Sequence, residues 1–373
     1  MHVCYLINNL RGDGAQRLVL DIIDNSGEDI RFTTCAFEKY NPLEQEFREA
    51  GSNVVTFDAA SKFDVRAIQR VFEYFRGADF DVLHAHLPYS QVLARVVGAT
   101  GGARSVVSTQ HNVPANYHPV ERALERLTRP LDTTTIAVSD GVRQRFLAQS
   151  RPWETELTDW RTIYNGIDVA QFNRGVREID EQSARDRWGV SEDDLVYVNI
   201  SRYVPAKAQT DAIRAMSGVV RSIPDARMVI AGGGQLERLL QRAVANLDLE
   251  DHVTLAGRVS DRSIYELYSI ADVFVFPSIH EGFGIVLLEA MASELPVVAT
   301  DIPGVRDVVS NDTGVLVPSE TPDELAKAMI RMRSPNRRRT FGKNGYRRAL
   351  DAFDIDRVVD EHVRMYRTVS GGD

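Results

Sequence analysis

The chain has 373 residues, roughly two to three times a typical domain, so about two domains are expected. With 43% hydrophobic and 26% charged residues it reads as a globular protein with a substantial core, which excludes a disordered tail, a fibrous repeat and a disulfide mini-protein. The formal net charge of −9, with no basic run beyond Arg337-Arg338-Arg339, makes nucleic acid a poor partner.

Short β-branched runs alternate with amphipathic stretches nearly from end to end. Strands are predicted at 2–7, 31–37, 53–57, 81–85, 104–109 and 133–138, with helices at 14–24, 65–76 and 90–99 between them. An irregular, charged segment is predicted from 165 to about 193. The alternation then restarts with strands at 195–201, 226–231, 253–255, 273–276, 297–299 and 315–317. Continuous apolar strands alternating with helices imply parallel sheets covered on both faces. Two such runs across a polar joint predict two facing Rossmann-like α/β domains, 1–172 and 173–352, with a cleft between them. The tail 335–371 is helical and charged, and no strand follows it. From 353 it either crosses back to the first domain or caps the surface; both readings stay open.

No run approaches the ~18 apolar residues of a membrane span. The opening segment has neither a basic region nor a long apolar one, so no secretion signal is expected. Cys4 and Cys35 sit in apolar, strand-like runs and are expected as buried thiols, which suits a reducing cytoplasm. Only five of the 44 basic residues are lysines: Lys39, Lys62, Lys207, Lys327 and Lys343. Each surviving lysine therefore draws attention.

In open α/β sheets ligands bind at the carboxyl ends of the strands, and the sharpest motif falls there. After the strand at 273–276 comes His280-Glu281-Gly282-Phe283-Gly284-Ile285, then a helix carrying Glu289. The glycines permit close backbone approach, and a helix starting near Gly284 presents unpaired N–H groups to an anion. Glu289 follows Glu281 by a little over two helical turns, which lets both carboxylates face one side. A helix with one solvated glutamate is the plain alternative. Arg202 and Lys207 close the first strand-to-helix turn of the second domain, where a planar fork and a point charge suit a diphosphate. Two solvated charges at a helix start are the alternative there.

The spacing Glu281-x7-Glu289 with Gly-Phe-Gly after the first glutamate resembles the signature of retaining nucleotide-sugar glycosyltransferases of family 4, which have the two-Rossmann GT-B architecture. Gly12-Asp13-Gly14, Asp81-Val-Leu-His-Ala-His86, Ala137-Val-Ser139, Asn165-Gly-Ile-Asp168 and Ala299-Thr-Asp-Ile-Pro-Gly304 match in order and spacing. The resemblance implies that Arg202 and Lys207 grip the donor phosphates, that Glu281 contacts the donor sugar, and that Glu289 holds the ribose. It implies further that the backbone of Phe283, Gly284 and Ile285 holds sugar and phosphate, and that Gly14 approaches the donor. The glycine usual after the lysine is Ala208 here, so a slightly displaced loop backbone is expected. Gly233, in Gly232-Gly233-Gly234, and Val259 are weaker nucleotide-side candidates, since a triple glycine after a strand is often merely a turn.

His111, after the run 105–110, is implied to lie against the reacting sugar; alone, it would read as a hydrogen-bonded loop residue. His84 and His86 point to one side of a strand end, but no third ligand appears, so no metal is expected. His86 and Asn112 are acceptor-side candidates. A dinucleotide fingerprint at Gly12 and Gly14 would need a third glycine where Arg17 stands; Glu38 would be its acidic partner. The stretch 117–129 carries Val120, Leu124 and Leu127 among arginines. It either rests on anionic lipid at the inner face of the cell membrane or is an ordinary surface helix.

The expected activity is sugar transfer from a nucleoside diphosphate sugar, a hexose or an N-acetylhexosamine, to a glycan or lipid-linked hydroxyl in polysaccharide or glycoconjugate synthesis. No cofactor or catalytic metal is expected. A nucleotide-sugar epimerase of the same architecture, or a non-catalytic nucleotide-sugar-binding protein, are the alternatives.

Overall fold

A computed structural model describes residues 1–150 and 158–371. The chain forms two compact α/β units. The first comprises Met1–Gly166 together with the chain from Ile355 onwards, and the second comprises Ile167–Asp354.

The first unit holds a seven-stranded sheet with β1 (His2–Ile7), β2 (Arg31–Glu38), β3 (Asn53–Ala59), β4 (Phe80–His86), β5 (Ala103–Gln110), β6 (Thr134–Ala137) and β7 (Asp159–Thr162). Every pairing is parallel and the order is β3-β2-β1-β4-β5-β6-β7. Alternation along β1 sends Val3, Tyr5 and Ile7 to one face and Cys4 and Leu6 to the other, because successive side chains of a strand point oppositely. Each set is sealed by its own apolar cluster, so the strand reads as one continuous apolar run. Cys4 and Cys35 are buried free thiols. The edge strand β7 was not foreseen. Its sequence Asp-Trp-Arg-Thr buries only the tryptophan, and a polar edge strand carries no apolar signal.

The second unit holds β8 (Leu195–Ile200), β9 (Ala226–Ala231), β10 (Val253–Gly257), β11 (Val273–Phe276), β12 (Val297–Thr300) and β13 (Gly314–Val317). These strands are also all parallel, in the order β10-β9-β8-β11-β12-β13. Both sheets reverse their order of winding once, between β1 and β4 and between β8 and β11, as doubly wound sheets do.

The segment expected to be irregular is instead two helices, Val169–Arg177 and Glu181–Trp188. Asp168 accepts from the Gln171 amide and Asp180 from the Ser183 amide, so each start is capped; Gly189, at φ +66°, ends the second helix. The first of these helices belongs to the second unit, where Asn173 Nδ2 donates to the Ala292 carbonyl at 2.6 Å. The chain therefore passes between units at Gly166, ahead of that helix.

The tail is two helices, Pro335–Phe353 and Ile355–Ser370, separated by the extended Asp354. Gly342 lets the first helix pack closely within the second unit, since a Cβ there would lie 1.8 Å from the Glu294 carbonyl oxygen. The second packs Ile355, Val358, Val359, Met365 and Tyr366 into the core of the first unit. There the Tyr366 hydroxyl lies 2.7 Å from the Tyr5 hydroxyl and 2.7 Å from Nδ1 of His84, and Ser105 Oγ donates to the Val369 carbonyl at 2.6 Å.

Removing the fully buried Tyr366 hydroxyl leaves two buried polar partners short. Tyr366→Phe is expected to destabilise the first unit by about 1–3 kcal/mol, read as a lower midpoint in thermal or urea unfolding. An unchanged midpoint would show that these bonds contribute nothing net.

Candidate active site

Because all strands of the second unit are parallel, the loops after β8, β9, β10, β11 and β12 leave the same edge of the sheet. They are bound to one another through backbone. The Tyr203 amide donates to the Gly233 carbonyl at 3.0 Å, and the Gly232 amide donates to the Gly257 carbonyl at 2.7 Å. Tyr203 is itself fully buried, and its hydroxyl donates to the Ile230 carbonyl at 2.7 Å. Gly232, at φ +143°, has no room for a side chain, because a Cβ would fall 2.0 Å from the Ser201 carbonyl oxygen. The Ile279 amide donates to the Ala206 carbonyl at 2.8 Å, tying the loop after β11 to the turn after β8. Gly304, at φ +84°, lies so close behind that loop that a Cβ would sit 2.6 Å from the Gly282 carbonyl oxygen.

On this frame Lys207 ends the 3-10 turn Pro205–Lys207 and pairs its ammonium with the Glu281 carboxylate. The same ammonium lies 5.0 Å from the centroid of the Phe276 ring, a cation–π contact. Both partners are mostly covered, at 17% and 18% side-chain exposure, so the pair is held rather than free in water. Ala208 takes the left-handed conformation at φ +45°, ψ 39°. The loop therefore keeps the backbone that a glycine would favour, and the alanine methyl is buried. Buried Gln209 braces the turn, donating from Nε2 to Ser201 Oγ at 2.8 Å and to the Arg202 carbonyl at 2.7 Å. The Arg202 side chain is exposed.

Gly284, at φ +90°, opens the helix Ile285–Ala292 without any side-chain cap. The amides of the first turn of such a helix are available to a ligand, with the positive end of the helix dipole behind them. The Phe283 ring is buried edge-on against Phe353, centroids 5.7 Å apart, so its side chain is turned into the protein. Glu289 lies one turn in, where its carboxylate accepts from the Tyr268 hydroxyl at 2.8 Å. Burial pushes its pKa up to about 7, against the pull of the Tyr268 bond and with a smaller upward push from Asp261. Gly233 would place a Cβ against the side chain of exposed Arg258. Val259 is half-buried just before Ser260, which caps the helix Asp261–Ile270.

In the first unit, Gly14 starts the helix Gly14–Asp24, which also lacks a side-chain cap, and Gly12 adopts φ +87° in the loop before it. Glu38 accepts from Asn9 Nδ2 at 2.8 Å and Arg11 Nη2 at 3.1 Å, and Arg17 pairs with Glu46. The carboxylate that a dinucleotide fingerprint would use is thus committed to the protein. His111 follows β5 and is half-buried, with Nε2 2.8 Å from Nδ1 of fully buried His86. Burial, reinforced by the nearby His362, lowers the His111 pKa to about 4, so the ring is neutral at pH 7. Both ring nitrogens of His84 are engaged, by the hydroxyls of Tyr366 and Thr109. Among the described residues no group of three His, Cys, Asp or Glu side chains is placed to hold a metal. Asn112 is exposed, and its side-chain oxygen accepts from Asn116 Nδ2 at 2.9 Å.

Four residues of these surroundings carry no motif: Gln209, Tyr268, His362 and Tyr366. Only the last pair left a trace in the sequence, as a histidine and a tyrosine four residues apart on the otherwise apolar face of the final helix.

Residues 12–171 match Glycosyltransferase Family 4 and residues 180–348 match Glycosyl transferases group 1. EpsD of Bacillus subtilis, named as a glycosyltransferase, is 31% identical, covering 83% of this chain and 81% of that one. The N-acetyl-alpha-D-glucosaminyl L-malate synthase of Bacillus anthracis is 24% identical, covering 87% of this chain and 84% of that one. A phosphatidyl-myo-inositol mannosyltransferase of Mycolicibacterium smegmatis is 29% identical over 84% and 78% of the two chains. Among solved structures, the Anabaena protein HepE in complex with UDP superposes with a TM-score of 0.84 at 20% identity, covering 99% of this chain and 100% of that one. Sucrose-phosphate synthase of Thermosynechococcus elongatus does so with a TM-score of 0.81 at 20% identity, covering all of both chains. The motifs, the two doubly wound sheets and these likenesses agree: the chain belongs to glycosyltransferase family 4 and has the GT-B fold.

Proposed function

We propose that this glycosyltransferase moves a hexose or N-acetylhexosamine from a nucleoside diphosphate sugar to a glycan or lipid-linked hydroxyl, with retention at the anomeric carbon, in cell-surface polysaccharide or glycoconjugate synthesis. The observation that carries the reading is the Lys207–Glu281 pair on the Phe276 ring. It joins a phosphate-type cation to a sugar-type carboxylate in one loop cluster with Arg202 and the uncapped helix start at Gly284. Relatives named as mannosyltransferase and as N-acetylglucosaminyl-malate synthase, and HepE structures holding UDP or UDP-glucose, support a nucleotide-sugar donor.

In this reading Lys207, Arg202 and the amides after Gly284 stabilise the charge that develops on the departing diphosphate. Glu281 accepts from sugar hydroxyls, Glu289 from the ribose, and the backbone of Phe283 and Ile285 completes the cradle. Gly233 and Val259 line the nucleotide side. In the first unit, Gly14 serves the donor, His111 a sugar hydroxyl and Asn112 the acceptor. The acceptor oxygen bonds to the anomeric carbon on the face from which the diphosphate leaves. The bond from that carbon to the phosphate oxygen breaks, and the acceptor proton passes to the leaving phosphate. Positive charge at the leaving group comes from the chain, so turnover without an added divalent ion is part of the proposal.

A panel of nucleotide sugars in a thermal-shift assay identifies the donor, since ligand at 100 times its Kd stabilises by about 2.7 kcal/mol. With that donor and a cell-envelope acceptor, in buffer containing EDTA, Lys207→Ala is expected to lower kcat/KM by about 10²–10³-fold. Unchanged turnover in the variant would remove the phosphate role, and an epimer formed from donor alone would replace transfer with epimerisation.

Glu289 supplies a pH test with a definite sign. Its folded pKa lies above that of a free carboxyl, so the native state holds an extra proton between roughly pH 4.5 and 7. The stability this brings is present at low pH and lost as pH rises through 7. Glu289→Gln, which mimics the protonated group, should therefore gain Tm relative to the native chain at pH 8 but not at pH 5. Donor KM of the native enzyme should fall as pH rises through 7, and that trend should be absent from the variant. Parallel pH profiles for the two proteins would overturn the assignment.

A peripheral membrane contact is proposed for the first unit. The helix Pro119–Thr128 exposes Val120, Leu124 and Leu127, the last at 76%, and Leu131 follows. The Lys62–Glu121 ion pair at 2.7 Å sets exposed Phe63 and Val65 beside them, with Arg122 also at the surface. Apolar side chains beside cations suit anionic lipid at the inner face of the membrane. Sedimentation with phosphatidylglycerol vesicles is expected to capture the protein and to lose the Leu124→Ser, Leu127→Ser double variant. Equal capture of both would leave an ordinary surface helix.

A further inference from the structure

The first unit gathers four imidazoles, those of His84, His86, His111 and His362. His84 and His86 have ring centroids 4.4 Å apart, His86 and His111 5.1 Å, and His84 and His362 6.0 Å. All four have pKa values lowered by burial, so all are neutral at pH 7. Each ring therefore carries one proton on one of two nitrogens, and the hydrogen bonds decide which.

His362 is the simplest case. Its Nδ1 lies 2.8 Å from the Val358 carbonyl, which can only accept, so the proton is on Nδ1. Its Nε2, buried and without a partner among the described residues, is then a bare lone pair. His84 is saturated by two hydroxyls and has no nitrogen left to offer.

His86 shares the first pattern. Its Nδ1 is 2.8 Å from His111 Nε2, and its own Nε2 is buried without a partner among the described residues. Two arrangements fit that distance. If His111 donates from Nε2, His86 must hold its proton on Nε2, burying an N–H with no acceptor. If His86 donates from Nδ1, only a lone pair is orphaned there. Orphaned buried N–H groups are the rarer and costlier fault, so the second arrangement prevails.

We propose that His86 is a positioning residue, which donates its Nδ1 proton to Nε2 of His111 and so fixes His111 as the Nδ1–H tautomer. The nitrogen of His111 that the protein leaves unengaged is then a hydrogen-bond donor, suited to a sugar hydroxyl oxygen. In free imidazole side chains the Nε2–H form is the commoner one, so this donor exists only while His86 holds it in place. The consequence for turnover rests on the sugar-contact reading of His111; the tautomer itself does not.

Long-range proton–nitrogen NMR of the full chain with nitrogen-15 histidine, at pH 7.5, reads the tautomer directly, with His111 assigned by its absence from His111→Ala. The expected pattern is Nδ1–H; an Nε2–H pattern for His111 overturns the proposal. His86→Leu, which removes the donor, should shift the His111 pattern towards Nε2–H and lower kcat by roughly 10–100-fold, with a smaller change in donor KM. His86→Asn, which can place an amide N–H where Nδ1 stood, should restore most of that loss. Equal losses in the Leu and Asn variants would also overturn it. If His86→Leu fails to fold, the spectrum of the native chain decides alone. Full turnover in His111→Ala would instead remove the sugar contact while leaving the tautomer to the spectrum.

Discussion

Around the second sheet's carboxyl edge the backbone of one loop lies where another loop's side chains would otherwise be. Gly232 stands against the Ser201 carbonyl, Gly234 against the Tyr203 carbonyl and Gly304 against the Gly282 carbonyl, each too close for a Cβ. This crowding is what places the turn bearing Lys207 beside the loop bearing Glu281. Beyond the short 3-10 turn Pro205–Lys207, neither loop is held by secondary structure of its own. Each is held by amide-to-carbonyl bonds to a neighbour, such as Ile279 to Ala206 and Tyr203 to Gly233, so the side chains inherit their positions from a backbone that cannot separate without losing several bonds at once.

That rigidity holds a cation and a carboxylate together, both mostly covered. A lone charge at such a position would be costly, and Lys207 and Glu281 satisfy one another. On the proposed reading a donor does not fill an empty cation site; it exchanges partners. A diphosphate carries more negative charge than one carboxylate and draws the ammonium, and Glu281 is released to accept from sugar hydroxyls. The exchange demands both halves of the donor. A free phosphate would satisfy Lys207 but strand Glu281, and a free sugar would leave the ion pair intact. On that reading the pair itself favours the intact nucleotide sugar.

The strands of both sheets were legible in the sequence because each is buried on two faces and reads as an unbroken apolar run, as 273–276 does. The motif Glu281–Glu289 was legible because glycines and carboxylates recur at fixed spacing. What escaped lacks both signals. The helices Val169–Arg177 and Glu181–Trp188 bury few side chains, and their evidence is two capping aspartates that look like ordinary surface charge. The strand β7 buries one residue. Tyr268, which holds Glu289, acts through a hydrogen bond to a partner 21 residues away, and Gln209, which holds the Lys207 turn, acts through bonds to Ser201 Oγ and the Arg202 carbonyl. No one-dimensional pattern encodes such contacts. The same limit applies to the tail, whose apolar positions predict a packed face but not which unit receives it; Tyr366 finds Tyr5 and His84 across nearly the whole length of the chain.

Composition takes on a physical meaning at one position. Arginine outnumbers lysine heavily in this chain and serves nearly every surface ion pair, yet position 207 is lysine. A guanidinium is a planar fork that bonds best to a coplanar carboxylate, as Arg95 does twice to Asp132 in the first unit. At 207 the cation must meet a carboxylate on one side and an aromatic face on the other. Stacked flat on Phe276, a guanidinium would direct its N–H groups around its own edge, and its larger plane would fill the space between the loops. An ammonium has three donors that rotate about a single bond, so on the proposed reading it can stay on the ring while turning from carboxylate to phosphate. Where the partner changes during the working cycle, a rotating point charge is the better cation. Where the partner is permanent, as at Arg95, the fork is.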